Sequence, residues 1–208
     1  MVVWKSYPGK HPGSPRPSIL DRSEIKNLLF RRALPQTHPM GKRREARERA
    51  IQFLFQHDMN PPENLQAAID HFWESHRLSL YLEGKGATWG ESVELPAPTA
   101  DESAVRLFAD PLIRGVVEHW TEINAAISRH ARNWDLHRIA VMDRTIMRLA
   151  IFEMMHRDDI PPVVSINEAV DLAKKFSTGD SGKFVNGILD KVRAEILRPA
   201  RTATEGSV

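Results

Sequence analysis

Apolar residues recur along this chain at helical spacing, and nowhere does a stretch alternate apolar and polar residues between hairpin turns. The clearest region runs from Ile160 to Val192. Ile166, Ala169, Val170, Leu172, Ala173 and Phe176 mark one face of a helix; Phe184, Val185, Ile188, Leu189 and Val192 mark a face of the next. A polar turn, Ser177 to Ser181, joins them. Ser165 and Glu168 predict a capping box for the first of the two, with Val164 placed to staple onto Ala169. Upstream, Lys42 to Met59 reads as a helix whose apolar face is Ala50, Ile51, Leu54 and Phe55, stopped by Pro61 and Pro62. A second helix is expected over Glu63 to Leu82. Residues 84–98 read as a loop insertion from their Gly, Pro and small residues. Thr99 and Glu102 predict another capping box, opening a helical region that runs to Ala131 and is kinked or restarted at Pro111. A further helix is expected from Trp134–Asp135 to His156. Its stripe is Ile139, Met142, Ile146, Leu149, Ala150 and Phe152 or Met154. No segment repeats at a fixed period. The expected fold is all-α, a compact bundle of about seven helices.

Length sets the domain count. The chain's 208 residues support one sizeable core, and two full domains would be cramped. We place that domain at 42–198. Residues 1–41 are expected to form a basic, largely disordered extension with a short helix at 22–34, where Asp21 is the N-cap and Glu24 stands at N3. Residues 199–208 are expected to form a disordered tail. The chain has no Cys, which excludes disulfides, cysteine-ligated zinc and thiol nucleophiles and fits a reducing compartment. No apolar run approaches the ~20 residues that cross a bilayer, and the N-terminus lacks the apolar core of a secretory signal. A cytoplasmic location is expected.

Net charge is only +2, but it is unevenly spread. Residues 1–60 hold 12 Lys and Arg against 5 Asp and Glu, whereas residues 61–208 hold 17 against 22. A basic segment on an otherwise acidic chain suits a polyanionic partner; a solubilising tail is the plainer reading.

The cations that begin the first helix sharpen this. Lys42, Arg43, Arg44, Arg47 and Arg49 fall within about two turns. Guanidinium groups make charge-assisted, often bidentate bonds to phosphate. Arg47 shares a face with Ile51 and Leu54, so its stem is expected to pack while its head reaches out. Arg43 and Arg44 are the freer candidates. The alternative is a solvated helix start with i,i+4 pairs such as Arg44–Glu48 and Glu45–Arg49. At the other end, the turn presents Asp180, Ser181, Lys183 and Phe184 together. A cation beside an aromatic ring at a helix N-terminus suits an anionic partner with flat bases, such as single-stranded RNA. The alternative gives Asp180 or Ser181 to capping and Phe184 to the core.

Catalytic chemistry finds little footing. Gly179 to Gly182 spells the GDSG of a protease nucleophile loop, but a helical pattern offers no oxyanion scaffold or positioned His–Asp pair. His71 and His76 are misaligned on a helix, and His156 with Asp158 and Asp159 is only a loose cluster, so no metal is expected. Gly84-Lys85-Gly86 lacks the phosphate-loop frame, and no cofactor motif is visible. Neither catalytic residues nor cofactors are expected. In the central helix, Arg148 is expected to pair with Glu153 or another carboxylate.

Three separated motifs resemble one family in its own order. RREARERAIQFLFQ (43–56), WDLHRIAVMDRTIMRLAIFEM (134–154) and SINEAVDLAKKF followed by DSGKFVNGILDKV resemble the bacterial transcription antitermination factor NusB family. The resemblance covers roughly Lys42 to Ile196. It implies a NusB-like RNA-binding bundle that pairs with the ribosomal protein NusE and binds boxA-type RNA. That assembly would join RNA polymerase with NusA and NusG and oppose premature termination in ribosomal RNA operons. It implies RNA-binding roles for Lys42, Arg43, Arg44, Arg47, Asp180, Lys183 and Phe184, and NusE contacts through Phe55 and Asp143. Asn167, Glu168, Asn186 and Gly187 match the family signature and are expected to be structural, with Gly187 allowing close helix approach. A homodimer that hides the RNA face is compatible with it. The alternatives are a helical protein–protein scaffold without specific RNA binding, or an accessory module related to RNA cytosine methyltransferases.

Overall fold

A computed structural model describes residues 41–85, 95–131 and 135–197. The expected extension, its short helix, the middle of the 84–98 insertion and the expected tail lie outside the described residues. Seven α-helices follow in order: α1 Lys42–Met59, α2 Leu65–Lys85, α3 Ala100–Glu118, α4 Trp120–His130, α5 Val141–His156, α6 Pro162–Phe176 and α7 Ser181–Ile196. There is no strand among the described residues. None of these helices is long and apolar enough to cross a membrane.

The helix ends follow from local chemistry. α1 stops at Met59 because Asn60 precedes Pro61 and is forced out of helical geometry, at φ −154° and ψ 88°. The box expected at α3 is present: Glu102 N–H donates to Thr99 Oγ1 (3.2 Å) and Thr99 N–H to Glu102 Oε2 (2.7 Å). Pro111 lies inside α3 without ending it; its ring is exposed, and the break comes instead at His119. The expected helix start near Trp134 is corrected. Asp135 Oδ1 accepts from His137 N–H and caps a short 3-10 turn, Leu136–Arg138, and α5 begins only at Val141.

The expected Ser165/Glu168 capping box is also corrected. Pro162 occupies the first position of α6, where its fixed φ suits a helix and its missing N–H costs no bond, so the helix starts before Ser165. Ser165 is then buried within the helix, and Glu168 is left free to meet α1.

α5 is the axis of the core. Twelve of its sixteen residues are buried, which requires neighbours on nearly every side. α1, α3, α4, α6 and α7 all pack on it. Ile146, Met147, Ile151, Leu54, Ile113 and Leu189 are at most 1% exposed and fill the spaces between them. Each such side chain contributes about 1.5–3 kcal/mol of burial. Gly115 sets the α3–α5 distance: a Cβ there would lie 1.9 Å from the Phe152 ring. Gly187, by contrast, faces open space, which corrects its expected role in close helix approach. Asn186 is exposed and donates along its own helix to Asp190 Oδ2 (2.9 Å).

Candidate nucleic-acid interface

The cations of α1 meet three different fates. Arg47 is buried: its Nε donates to Glu153 Oε1 at 2.8 Å, with the two side chains 5% and 1% exposed. This corrects the expectation that its head reaches solvent; the inward turn that packs its stem carries the head onto α5. Arg44 crosses to α6, where its Nε and Nη2 grip Glu168 (2.9 and 3.2 Å) and Nη2 also meets Asp171 (2.6 Å). The Glu168 hydrogen bond is the main reason that the Arg44 pKa is raised; the Asp171 bond and both charges add to it. Lys42 and Arg43 remain exposed. Lys42 Nζ pairs with Asp101 at the start of α3, and Arg43 forms no ion pair among the described residues.

Arg43 instead stands over an aromatic ring. Phe108 of α3 has three guanidinium carbons about it: Arg43 and Arg47 at 5.4 Å and Arg157 at 5.3 Å from its centroid. Such contacts fix cationic heads without neutralising them. Arg157, just past α5, is further held by both oxygens of Asp159 (2.8 and 3.0 Å). Sequence reasoning missed Phe108 and Arg157. Neither carries a local signal, since they lie on different elements and meet only in the fold.

The turn between α6 and α7 divides its residues. Asp180 and Lys183 are almost fully exposed, 97% and 89%, and loosely paired at 3.9 Å. Phe184 is half-buried. Ser181, expected at the presented tip, is buried instead. Its Oγ donates to Asp143 Oδ2 (2.9 Å) and lies within bonding distance of the hydroxyls of Thr178 and Ser177. Asp180 occupies the N-cap position of α7 without a side-chain cap bond.

The face of α6 that holds Arg44 runs toward the α6–α7 turn. Asp171 holds Arg44 and stands 3.9 Å from Lys174 one turn on. Lys174 in turn lies against Gly182, where a Cβ would come within 3.1 Å of its Cγ. Lys183 is the next residue. Arg44 and Lys174 therefore lie along one face of α6, with the carboxylates of Glu168 and Asp171 near the Arg44 side, and α7 meets that face at Gly182. Lys175, on the neighbouring flank, reaches back to the buried Glu48 (2.6 Å). The anticipated Arg44–Glu48 pair gives way to these α1–α6 contacts, whereas Glu45–Arg49 is present at 3.5 Å.

The two expected protein-contact residues part company. Phe55 is half-buried on α1. Asp143 is only 6% exposed and engaged with Ser181, so its carboxylate braces the turn and is not a surface contact. Beside α1's end lies a compact ionic cluster. Asp58 receives Arg144 (2.7 Å) and Arg148 (3.2 Å), Arg148 Nε donates to Asn124 (2.8 Å), and its guanidinium lies 3.9 Å over Trp120. Arg148 thus uses Asp58, the other carboxylate, and leaves Glu153 to Arg47. Burial lowers the Arg148 pKa against the pull of Asp58.

A cleft of about 970 Å³ opens between α2 and α3. Asp70, Glu74 and Asp110 line it alongside Arg77, Arg106 and Arg114, so it has no single sign of charge with which to select an anion.

These features define a class: an all-helical bundle whose α1, α3 and α6–α7 surfaces present cations around aromatic rings, without an assembled catalytic constellation on that face. Comparison with known proteins narrows the class. The NusB family model matches residues 44–194. The Transcription antitermination protein NusB of Myxococcus xanthus is 40% identical over 165 residues, spanning 77% of this chain and 100% of that protein. The chain belongs to the NusB family. The solved T. maritima NusB superposes with a TM-score of 0.55 at 31% identity, covering 77% of this chain and 94% of that one. A chain from a crystal structure of antitermination factors NusB and NusE in complex with dsRNA has the same fold, with a TM-score of 0.55 at 24% identity over 76% of this chain and 99% of that one.

Proposed function

We propose that this chain is a transcription antitermination factor that binds boxA-type single-stranded RNA together with the ribosomal protein NusE. The observation that carries this is the 40% identity over the full length of a relative named as a transcription antitermination protein. The function is binding, without catalysis. Lys42, Arg43 and Lys183 supply exposed charge, Arg44 a bidentate fork, and Phe184 a ring beside the turn, with Asp180 tuning the field. Phosphate neutralisation then provides affinity, and bases splayed onto Phe184 and nearby polar groups provide selectivity. Phe55 remains the candidate for the NusE face. NusE enlarges the surface, so the pair binds RNA better than either protein alone. In the cytoplasm the assembly joins RNA polymerase with NusA and NusG. Residues 1–41, with 7 Lys and Arg against 2 Asp and Glu, add sequence-tolerant RNA affinity.

A second reading has one observation in its favour. Lys42, Arg44 and Lys183 each already have an acidic partner, as expected of a bundle that only scaffolds proteins. Titrating boxA RNA against the protein, with and without NusE at two salt concentrations, separates the two. Antitermination requires affinity that falls steeply with salt and rises with NusE; affinity below that for an unrelated RNA leaves the scaffold reading.

A further inference from the structure

At the end of the bundle where α3 gives way to α4, three potential metal ligands from three points of the chain come together. His119 is the residue between the two helices, Glu122 lies one turn into α4, and His156 is the last residue of α5. His119 Nδ1 lies 3.1 Å from Glu122 Oε2, and His156 Nε2 lies 3.6 Å from the same oxygen. The two imidazoles stack with centroids 3.8 Å apart and planes 26° apart. Phe152 backs them, 5.3 Å from the His156 ring and 6.1 Å from the His119 ring. One ligand atom from each of the three residues lies within 4.8 Å of the others.

We infer that His119, Glu122 and His156 form a binding site for one divalent transition-metal ion, zinc foremost. Two imidazole nitrogens and a carboxylate oxygen suit zinc, cobalt(II) or nickel(II); magnesium and calcium demand oxygen donors. With no ion bound, Glu122 Oε2 can accept an N–H from each ring, which leaves both rings using donors and no lone pair toward it. A divalent ion takes the lone pairs of both rings and the carboxylate charge together. Ligands bound at about 2.1 Å in a tetrahedron stand about 3.4 Å apart. The separations of 3.1 and 3.6 Å from Glu122 Oε2 bracket that value, and rotation of the two rings out of their stack would bring each ring plane onto the ion. All three side chains are partly exposed, at 34%, 49% and 26%, so the ion has an entry path and water completes its shell. Once bound, it ties the α3–α4 junction to the end of α5, acting as a brace on the core at a distance in sequence of more than thirty residues.

The test uses chelator-treated full-length protein and zinc chloride, followed by calorimetry, with cobalt(II) as a spectroscopic stand-in. The wild type takes up one equivalent of zinc and melts at a higher temperature with it. His156→Gln and Glu122→Gln each weaken uptake by about tenfold or more and abolish the thermal gain. His71→Gln, an exposed histidine on α2, changes neither. Zinc uptake by the wild type no greater than by the His119→Gln/His156→Gln double variant overturns the site, as does equal loss in His71→Gln. Should a variant unfold, proton NMR of the cobalt-loaded wild type decides: paramagnetically shifted imidazole signals from His119 and His156 sustain the site, and shifts at other histidines alone overturn it.

Discussion

Replacing Arg47 with methionine separates an architectural role from an RNA-binding one. The Arg47–Glu153 contact is 2.8 Å long and buried on both sides, so its Coulomb attraction is about 6 kcal/mol at an effective dielectric of about 20. Desolvating two ions costs several kcal/mol each, which leaves the intact pair little better than two apolar side chains. Removing the arginine alone is different, because Glu153 stays in the core as an unpaired charge. Arg47→Met is therefore expected to destabilise the fold by about 3–5 kcal/mol, or roughly 10 °C in melting temperature. Glu153→Leu in the same chain should restore most of that loss. The assay is urea unfolding of both single variants and the double variant, paired with RNA titration of the double variant at two salt concentrations. If Arg47 acts on architecture, the double variant binds RNA with an unchanged salt slope. A single-variant cost below about 1 kcal/mol, or a double variant whose slope drops by about one ion, refutes the reasoning.

Other perturbations test neighbouring steps. Arg44→Ala and Lys183→Ala should each weaken boxA binding by about 1 kcal/mol or more and lower the salt slope, measured by fluorescence anisotropy; parental affinity in both misplaces the interface. Glu168→Gln should tighten RNA binding in the same assay, because it frees the Arg44 fork from its strongest internal acceptor. Gly115→Ala should cost about 1–3 kcal/mol in urea unfolding, since its methyl meets the Phe152 ring, and Phe152→Leu should recover part of it. Burial lowers the His57 pKa below its ordinary 6.5, so between the two values the unfolded chain binds a proton that the fold refuses. Stability should therefore fall as pH drops through 6.5, and His57→Gln should flatten that slope in thermal melts from pH 7.5 to 5.

Helices were legible in the sequence wherever an apolar stripe coincided with a boundary signal. Lys42–Met59 is recovered to the residue because a stripe ends in Pro-Pro, and Thr99–Glu102 because both members of the box lie outside the core. The failures have a shared cause. Ser165 and Glu168 have the spacing of a cap, yet the double proline ahead of them starts the helix first; Ser165 is then buried inside it and Glu168 meets Arg44 of α1. Asp135 begins a 3-10 turn because its Oδ1 takes the N–H of His137, two residues on. Apolar periodicity carries no information about that side-chain bond.

The interface was legible as an inventory of charges and illegible as a circuit. Composition places five cations at the start of α1, but which of them faces water depends on carboxylates about 60 to 130 residues away. Glu153 withdraws Arg47 into the core, Glu168 and Asp171 hold Arg44 at the surface, and Phe108 supports Arg43 without quenching it. The consequence concerns how RNA would dock. A phosphate approaching α6 must displace carboxylates from Arg44, whereas one approaching Arg43 meets an exposed guanidinium over an aromatic ring, with no ion pair among the described residues. First contact at Arg43 and Lys183, followed by exchange of phosphate for Glu168 at Arg44, is the order that desolvates the fewest unpaired charges. It also predicts that a face whose cations have acidic partners in the free protein would retain strong salt dependence: the internal carboxylates would act as resident competitors, and the bound phosphates would still release their own counterions.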